Sequence, residues 1–186
     1  MSKLRVSIII LEAAFEGLAF RGYLEANGVA TDVHLCGHPR DVLDTLERGL
    51  PADTSVVIIS AHGSEKGVFF GAYGAGVDVS LLDDGYLAPR HFLGISSLEG
   101  KSVVLTACAT GHQPFADIFL ARGAEIFLAP RDYAEASDVL LFVVRFLHAN
   151  VVQQRTAAHS AELAARDPML PPDLFRISRK ERALQA

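Results

Sequence analysis

Two cysteines in 186 residues are too few for a disulfide framework, so the expectation is a cytoplasmic protein with free thiols. Basic excess is missing as well. Seventeen Lys and Arg stand against 22 Asp and Glu, a formal charge of -5, and no basic run carries interleaved aromatics. That balance excludes nucleic acid as an expected partner. No long apolar run occurs: residues 139–147 form the longest, Arg145 breaks it, and a membrane span needs about 20 residues. The N-terminal residues pass straight into a short β-like run followed by acidic Glu12, with no small-residue cleavage site, so neither a signal peptide nor a membrane partner is expected. Finally, Glu12-Ala-Ala-Phe-Glu-Gly17 lacks the glycine spacing of a phosphate loop, which counts against a flavodoxin-like nucleotide binder. No cofactor is expected.

What the chain does contain is two apolar runs that end in reactive side chains. Ser102-Val-Val-Leu-Thr-Ala-Cys-Ala-Thr-Gly111 and Ser55-Val-Val-Ile-Ile-Ser-Ala-His-Gly63 are dense in β-branched residues and close on glycine. Such runs read as central parallel strands covered on both faces. Their C-terminal ends would place His62 and Cys108 on one rim of the sheet, where open α/β sheets bind ligands.

The other segments fit an α/β order. Residues 5–11 predict a strand, 13–26 a helix stopped by Asn27-Gly28, and 31–36 an alternating strand near a sheet edge. Pro39 opens a helix to about 48. Lys66 to Gly76 holds four glycines and predicts a strand or hairpin beside the site; Asp83-Asp84-Gly85 marks a turn; 86–93 predicts a short helix. Residues 113–121 predict a helix and 124–129 a strand. Asp132-Tyr-Ala-Glu135 reads as a capping box opening a helix to about 150. A further helix at 153–166 and a small strand at 174–177 complete a single domain, 1–178, with a charged tail at 179–186.

The chemistry follows from the pair. A cysteine attacks as thiolate, and an imidazole beside it removes the thiol proton and later returns it to the leaving amine. Gly63 allows close backbone approach to a bound carbonyl. Its N–H, with that of Cys108, could form an oxyanion hole. No carboxylate is evident to orient the imidazole, so a dyad rather than a triad is expected. Each residue also has an ordinary reading, the thiol as a buried inert side chain and the histidine as a satisfied polar group.

Strand-His-Gly followed 46 residues later by strand-Ala-Cys-Ala-Thr-Gly resembles the caspase-like cysteine peptidases of clan CD, and within them the bacterial CHAT domains. Asp84-Gly-Tyr-Leu-Ala-Pro-Arg-His-Phe-Leu93 and Leu98-Glu-Gly-Lys-Ser-Val-Val-Leu-Thr-Ala-Cys108 resemble the CHAT segment that leads to its cysteine. Phe119-Leu-Ala-Arg-Gly-Ala-Glu-Ile-Phe-Leu-Ala-Pro130 resembles the strand that follows. The resemblance spans roughly residues 55 to 165. It implies a three-layer αβα caspase-like fold with a mostly parallel central sheet, His62 as general base and acid, and Cys108 as nucleophile. It further implies endopeptidase activity after a chosen P1 residue of a protein or peptide substrate, under control of a partner or signalling system.

Clan members select P1 through a charged pocket. Asp132 could pair with a basic P1 side chain, its competing role being the helix cap; Asp78 and Asp84 lie in the irregular stretch between His62 and Cys108 and could shape the same pocket. The acidic loops tilt the expectation toward basic P1. His34-x-Cys36-x-His38 offers three zinc-type ligands, but an alternating strand does not converge them and no fourth is evident, so no metal is expected. Two other classes stay open: a catalytically inactive caspase-like module that binds a partner protein, and the nucleotide binder disfavoured above.

Overall fold

The computed structural model describes residues 4–11, 14–71, 73–74 and 76–180. Glu12, the first three residues and the tail from 181 onward lie outside the described residues. In chain order the elements are β1 (Arg5–Ile10), α1 (Ala14–Ala26), β2 (Ala30–Leu35), α2 (Pro39–Asp44) and β3 (Thr54–Ser60). Three short strands follow, β4 (Gly63–Ser64), β5 (Gly67–Phe69) and β6 (Tyr86–Leu87), then β7 (Ser102–Leu105) and α3 (Gln113–Ala121). The chain ends with β8 (Ile126–Pro130), α4 (Ala136–Leu147), α5 (Ala157–Ala165) and β9 (Phe175–Arg179).

Six strands form the main sheet in the order β2-β1-β3-β7-β8-β9, parallel throughout except for β9, which runs antiparallel to β8. Strand parity builds the layers. Side chains alternate between faces, and a sheet covered on both sides must be apolar at both parities. Ile9, Val57, Ile59, Val103, Leu105 and Phe127 therefore enter a core with α2 and α3. Val6, Ile8, Val56, Ile58, Val104 and Leu128 enter a second core with α1, α4 and α5. The result is a three-layer αβα architecture with a mostly parallel sheet. Its first core is centred on Phe119, whose ring stacks on Phe127 at 5.1 Å between centroids and meets Phe92 at 5.6 Å. Among the described residues no helix is long and apolar enough to cross a membrane.

Several local expectations are corrected. Residues 86–93 are not one helix: Tyr86 and Leu87 pair with Phe69 and Val68, and a 3-10 helix, Pro89–Gly94, follows. The hairpin turn between Asp83 and Tyr86 places Asp84 (φ 49°) and Gly85 (φ 86°) in the left-handed region. That is the type I′ geometry Asp-Gly favours. The capping box at 132–135 does not form. Helix α4 starts at Ala136 with Glu135 as an N-cap that makes no side-chain bond, while Asp132 Oδ1 accepts from the Tyr133 N–H at 2.8 Å. The last helix is shorter than expected because Thr156, at its N-cap, accepts the His159 N–H and sets its start.

Candidate active site

Strands β3 and β7 are direct neighbours in register, Val56 to Ile59 against Ser102 to Leu105. The rim beyond them is tied by Thr106, whose N–H donates to the Ile59 carbonyl (3.0 Å) and whose Oγ1 accepts from the Ala61 N–H (3.1 Å). One residue past Ala61 comes His62, exposed; two past Thr106 comes Cys108, partly buried. Gly63 closes the gap between them. A Cβ on Gly63 would stand 2.7 Å from Ala107 Cβ, 2.8 Å from the Gly67 carbonyl oxygen and 3.3 Å from the Cys108 carbonyl oxygen. Glycine is thus required here for backbone approach, not for an unusual φ. The Phe69 N–H donates to the His62 carbonyl (2.9 Å), so Gly63 and Val68 form a non-hydrogen-bonded pair. In such a pair the N–H turns away from the hairpin partner.

The turn after the thiol is held from three sides. Ala109 adopts φ 54°, a conformation costing an L residue about 1–2 kcal/mol. Its N–H donates to the Asp132 carbonyl (3.1 Å), the Gly111 N–H to the Pro130 carbonyl (2.8 Å), and the Thr110 hydroxyl to the Ala107 carbonyl (2.6 Å). Strain overridden by this many bonds is typical of functional turns. Outside that turn the Cys108 thiol has one weak contact, to the Ala134 carbonyl at 3.8 Å, and the Cys108 N–H makes no backbone bond among the described residues. The loop 131–135 stays out of helix α4 because its carbonyls are used in this way.

Asp132 lies beside the turn after Cys108. With Glu135, Asp138 and Asp173 it lines a cleft of 290 Å³ against one cation, Arg131; Ala134, the thiol's contact, lines the same cleft. Asp84 stands on the β5–β6 turn and pairs loosely with Lys66 (3.6 Å). Asp78 is placed elsewhere: its side chain accepts from the Ser80 N–H and its carbonyl meets His38 Nε2 at 2.7 Å, at the corner after β2. The structure therefore sets Asp132 beside the turn after Cys108, Asp84 on the hairpin after His62, and Asp78 at the far edge. His34, Cys36 and His38 have separate tasks. His34 pairs with Asp32 (2.5 Å), His38 caps α2, and burial pushes the Cys36 thiol up to about 11.

The sequence singles out neither Glu16 nor Tyr133 at this rim; His112, close to Cys108 in sequence, is offered by it as a residue that lines the site or, by preference, starts a helix, and it takes the N-cap place of α3. Glu16 stands half-buried in the first turn of α1; burial raises its carboxyl, an effect that His62 and Thr106 partly offset. His112 Nε2 is buried without a partner among the described residues, and burial holds the imidazole below its usual range. Tyr133 donates to Glu65 Oε2 (3.1 Å), which joins the loop after β8 to the hairpin after His62. Glu16 and Tyr133 carry no local signature; only sheet order brings their elements to this rim.

No protein-family model and no curated relative matches the sequence. A solved structure does. The chain superposes on the crystal structure of the Saccharomyces cerevisiae separase–securin complex with a TM-score of 0.57, at 8% identity, over 95% of this chain. The fold is caspase-like. At that identity the likeness is one of fold, and the chain spans 12% of the chain it matches. The match does not carry the CHAT subtype. In this caspase-like frame the rim carrying His62 and Cys108 is the C-terminal edge of the parallel strands.

Proposed function

We propose that this protein is a cysteine endopeptidase, cleaving a protein or peptide substrate after a specific P1 residue with His62 and Cys108 as its catalytic pair. One observation carries the reading: Gly63 is packed against Ala107 and the Cys108 carbonyl so closely that imidazole and thiol belong to one rigid backbone unit. His62 takes the thiol proton, and the sulfur bonds to the scissile carbonyl carbon. The oxyanion then accepts from the N–H groups of Gly63 and Cys108, neither of which makes a backbone bond among the described residues. The C–N bond breaks as His62 returns the proton to the amine, and a water activated by the same imidazole hydrolyses the thioester.

In this reading Asp132 makes the P1 contact. Four carboxylates against one guanidinium around the cleft beside Ala134 favour a Lys or Arg side chain there. Asp84 and Asp78, further from the thiol, would shape the approach of residues further along the peptide. Control by a partner protein accompanies the proposal, with the separase–securin complex, similar in fold, as its support.

The test is labelling with peptidyl acyloxymethyl ketones carrying P1 Asp, Arg, Lys or Asn, read by intact mass, with Cys108→Ala run alongside. Modification of Cys108 by the Arg or Lys probe is the expected result. Alkylation by iodoacetamide alone would describe a thiol awaiting its partner. A Cys108 that reacts with nothing, or no faster than Cys36, would instead favour the inactive partner-binding module.

A further inference from the structure

The two edges of the main sheet are built differently. Strand β9 carries Arg176 and Arg179, with Lys180 directly after, and cations along an edge discourage the addition of a further strand. Strand β2, at the other edge, has no Lys, Arg, Pro or Gly in Ala30-Thr-Asp-Val-His-Leu35, and it pairs with β1 residue for residue without a bulge. Its last residue, Leu35, is 72% exposed. An edge this regular is a template for pairing.

One bond decides which backbone groups β2 offers. The Cys36 N–H donates to the Ile10 carbonyl at 2.9 Å, so by the strand period of two His34 and Asp32 also turn their backbone toward β1. Thr31, Val33 and Leu35 turn theirs outward, and beyond the β1 ladder no backbone bond reaches them among the described residues. Side chains follow the same parity. Val33 packs into the core on the α1 side, and the Thr31 hydroxyl donates to Glu25 of α1 at 2.9 Å. Asp32 and His34 share the opposite face, paired with each other at 2.5 Å and both partly exposed.

We propose that β2 is the contact surface for a second copy of this chain, the two β2 strands pairing antiparallel about a twofold axis through Val33 so that one sheet continues across both copies. Such an interface is isologous, each strand meeting the same strand. Val33 faces the second copy's Val33, and Thr31 faces its Leu35, in hydrogen-bonded pairs that use the outward groups. Asp32 and His34 fall in the places between, where the side chains of an antiparallel pair stand closest. Asp32 then meets the second copy's His34, and His34 meets its Asp32. Opposite groups are neighbours along and across the strands, and like groups meet only on the diagonal. This complementarity also selects the register. A slide of two residues one way sets His34 against His34, and the other way sets Asp32 against Asp32. On the α1 side the second copy covers exposed Leu35 and Leu18, the latter seven residues before Glu25 and so on the same side of its helix. The pairing does not depend on the chemistry of Cys108.

The experiment measures mass by sedimentation equilibrium over a concentration series, with the thermal midpoint as a check on folding. Wild type is expected to approach twice the chain mass as concentration rises. Leu35→Lys puts a cation on the edge at an exposed position, so it should keep the midpoint and stay monomeric. Asp32→Lys and His34→Asp carry the decisive comparison. Alone, the first sets lysine against histidine and the second sets aspartate against aspartate, so each should remain monomeric where wild type pairs. Mixed in equal amounts, they restore opposite groups at both places and should recover the two-chain species. A folding defect in either variant would not be repaired by mixing. Wild type that stays monomeric throughout overturns the proposal, and leaves the edge to a strand of another protein or to none. A two-chain species that persists in Leu35→Lys also overturns it, because the contact then lies on another surface. Folded charge variants that do not associate when mixed refute the register centred on Val33. Should His34→Asp lower the midpoint, Leu35→Lys against wild type still decides whether β2 is the contact.

Discussion

Gly63→Ala is the sharpest perturbation of this site, because its consequences can be worked from three distances. The added methyl would lie 2.7 Å from Ala107 Cβ, where carbon atoms ordinarily rest about 3.5 Å apart, so something must yield by about 0.8 Å. No flexible side chain is available to yield. The second obstacle, at 2.8 Å, is the Gly67 carbonyl and the third is the carbonyl of Cys108 itself. Overpacking of this kind costs about 1–3 kcal/mol, and at this chain length each kcal/mol lowers Tm by about 2–4 °C. The displacement falls on the segment bearing His62, and misplacement near 1 Å costs about 100-fold in rate.

The assay pairs thermal unfolding with the rate of Cys108 modification by the reactive acyloxymethyl ketone. Gly22→Ala serves as control: its Cβ would meet nothing within 4 Å in the middle of α1, so it should stabilise by about 0.5–1 kcal/mol without touching the rate. The double variant Gly63→Ala/Ala107→Gly removes the first clash and leaves the second, so it should recover only part of the loss. A Gly63→Ala protein with wild-type Tm and wild-type labelling would refute the argument that backbone contact locks the imidazole to the thiol.

Two further predictions concern the cores. Phe119→Ala, at a fully buried ring among three others, should cost about 3–5 kcal/mol in denaturant unfolding, whereas Phe15→Ala, on a ring 89% exposed, should stay within about 0.5 kcal/mol. Cys36 supplies a pH dependence: the fold holds its thiol neutral by burial, raising it from 9.0 to about 11. The stability this favours is therefore fully present below pH 9 and is lost as pH rises toward 11, by about 2–3 kcal/mol in all. The difference between wild type and Cys36→Ala across that range isolates the effect, and a flat difference would refute it.

Much of this fold is legible locally. The β-branched runs that become β3 and β7 need no partner to be read, since only a strand covered on both faces is apolar at every position. The alternation at 31–36 marks the exposed edge that β2 occupies. Helix α3 begins at Gln113 and ends just before Gly123, where the periodicity says it should. Asp83-Asp84-Gly85 declares its turn because few residues accept positive φ. Local reading stops where pairing is short or distant. Strands β4 and β6 have two residues each, too few for a period, and only antiparallel contact with β5 makes them strands. At 132–135 a sound capping pattern lost to bonds made by Asp132 and Ala134 with a turn 23 to 26 residues earlier.

The candidate site divides in the same way. The sequence alone determined which side chains end the apolar strands, since burial pattern is written residue by residue. Which other groups share their rim was decided by strand order. With β8 beside β7, the Asp132 loop lies over the turn after Cys108; with β2 at the edge, Asp78 is left apart. These adjacencies are set by how whole strands and helices pack to bury two cores at once, a non-local balance that no window of sequence contains.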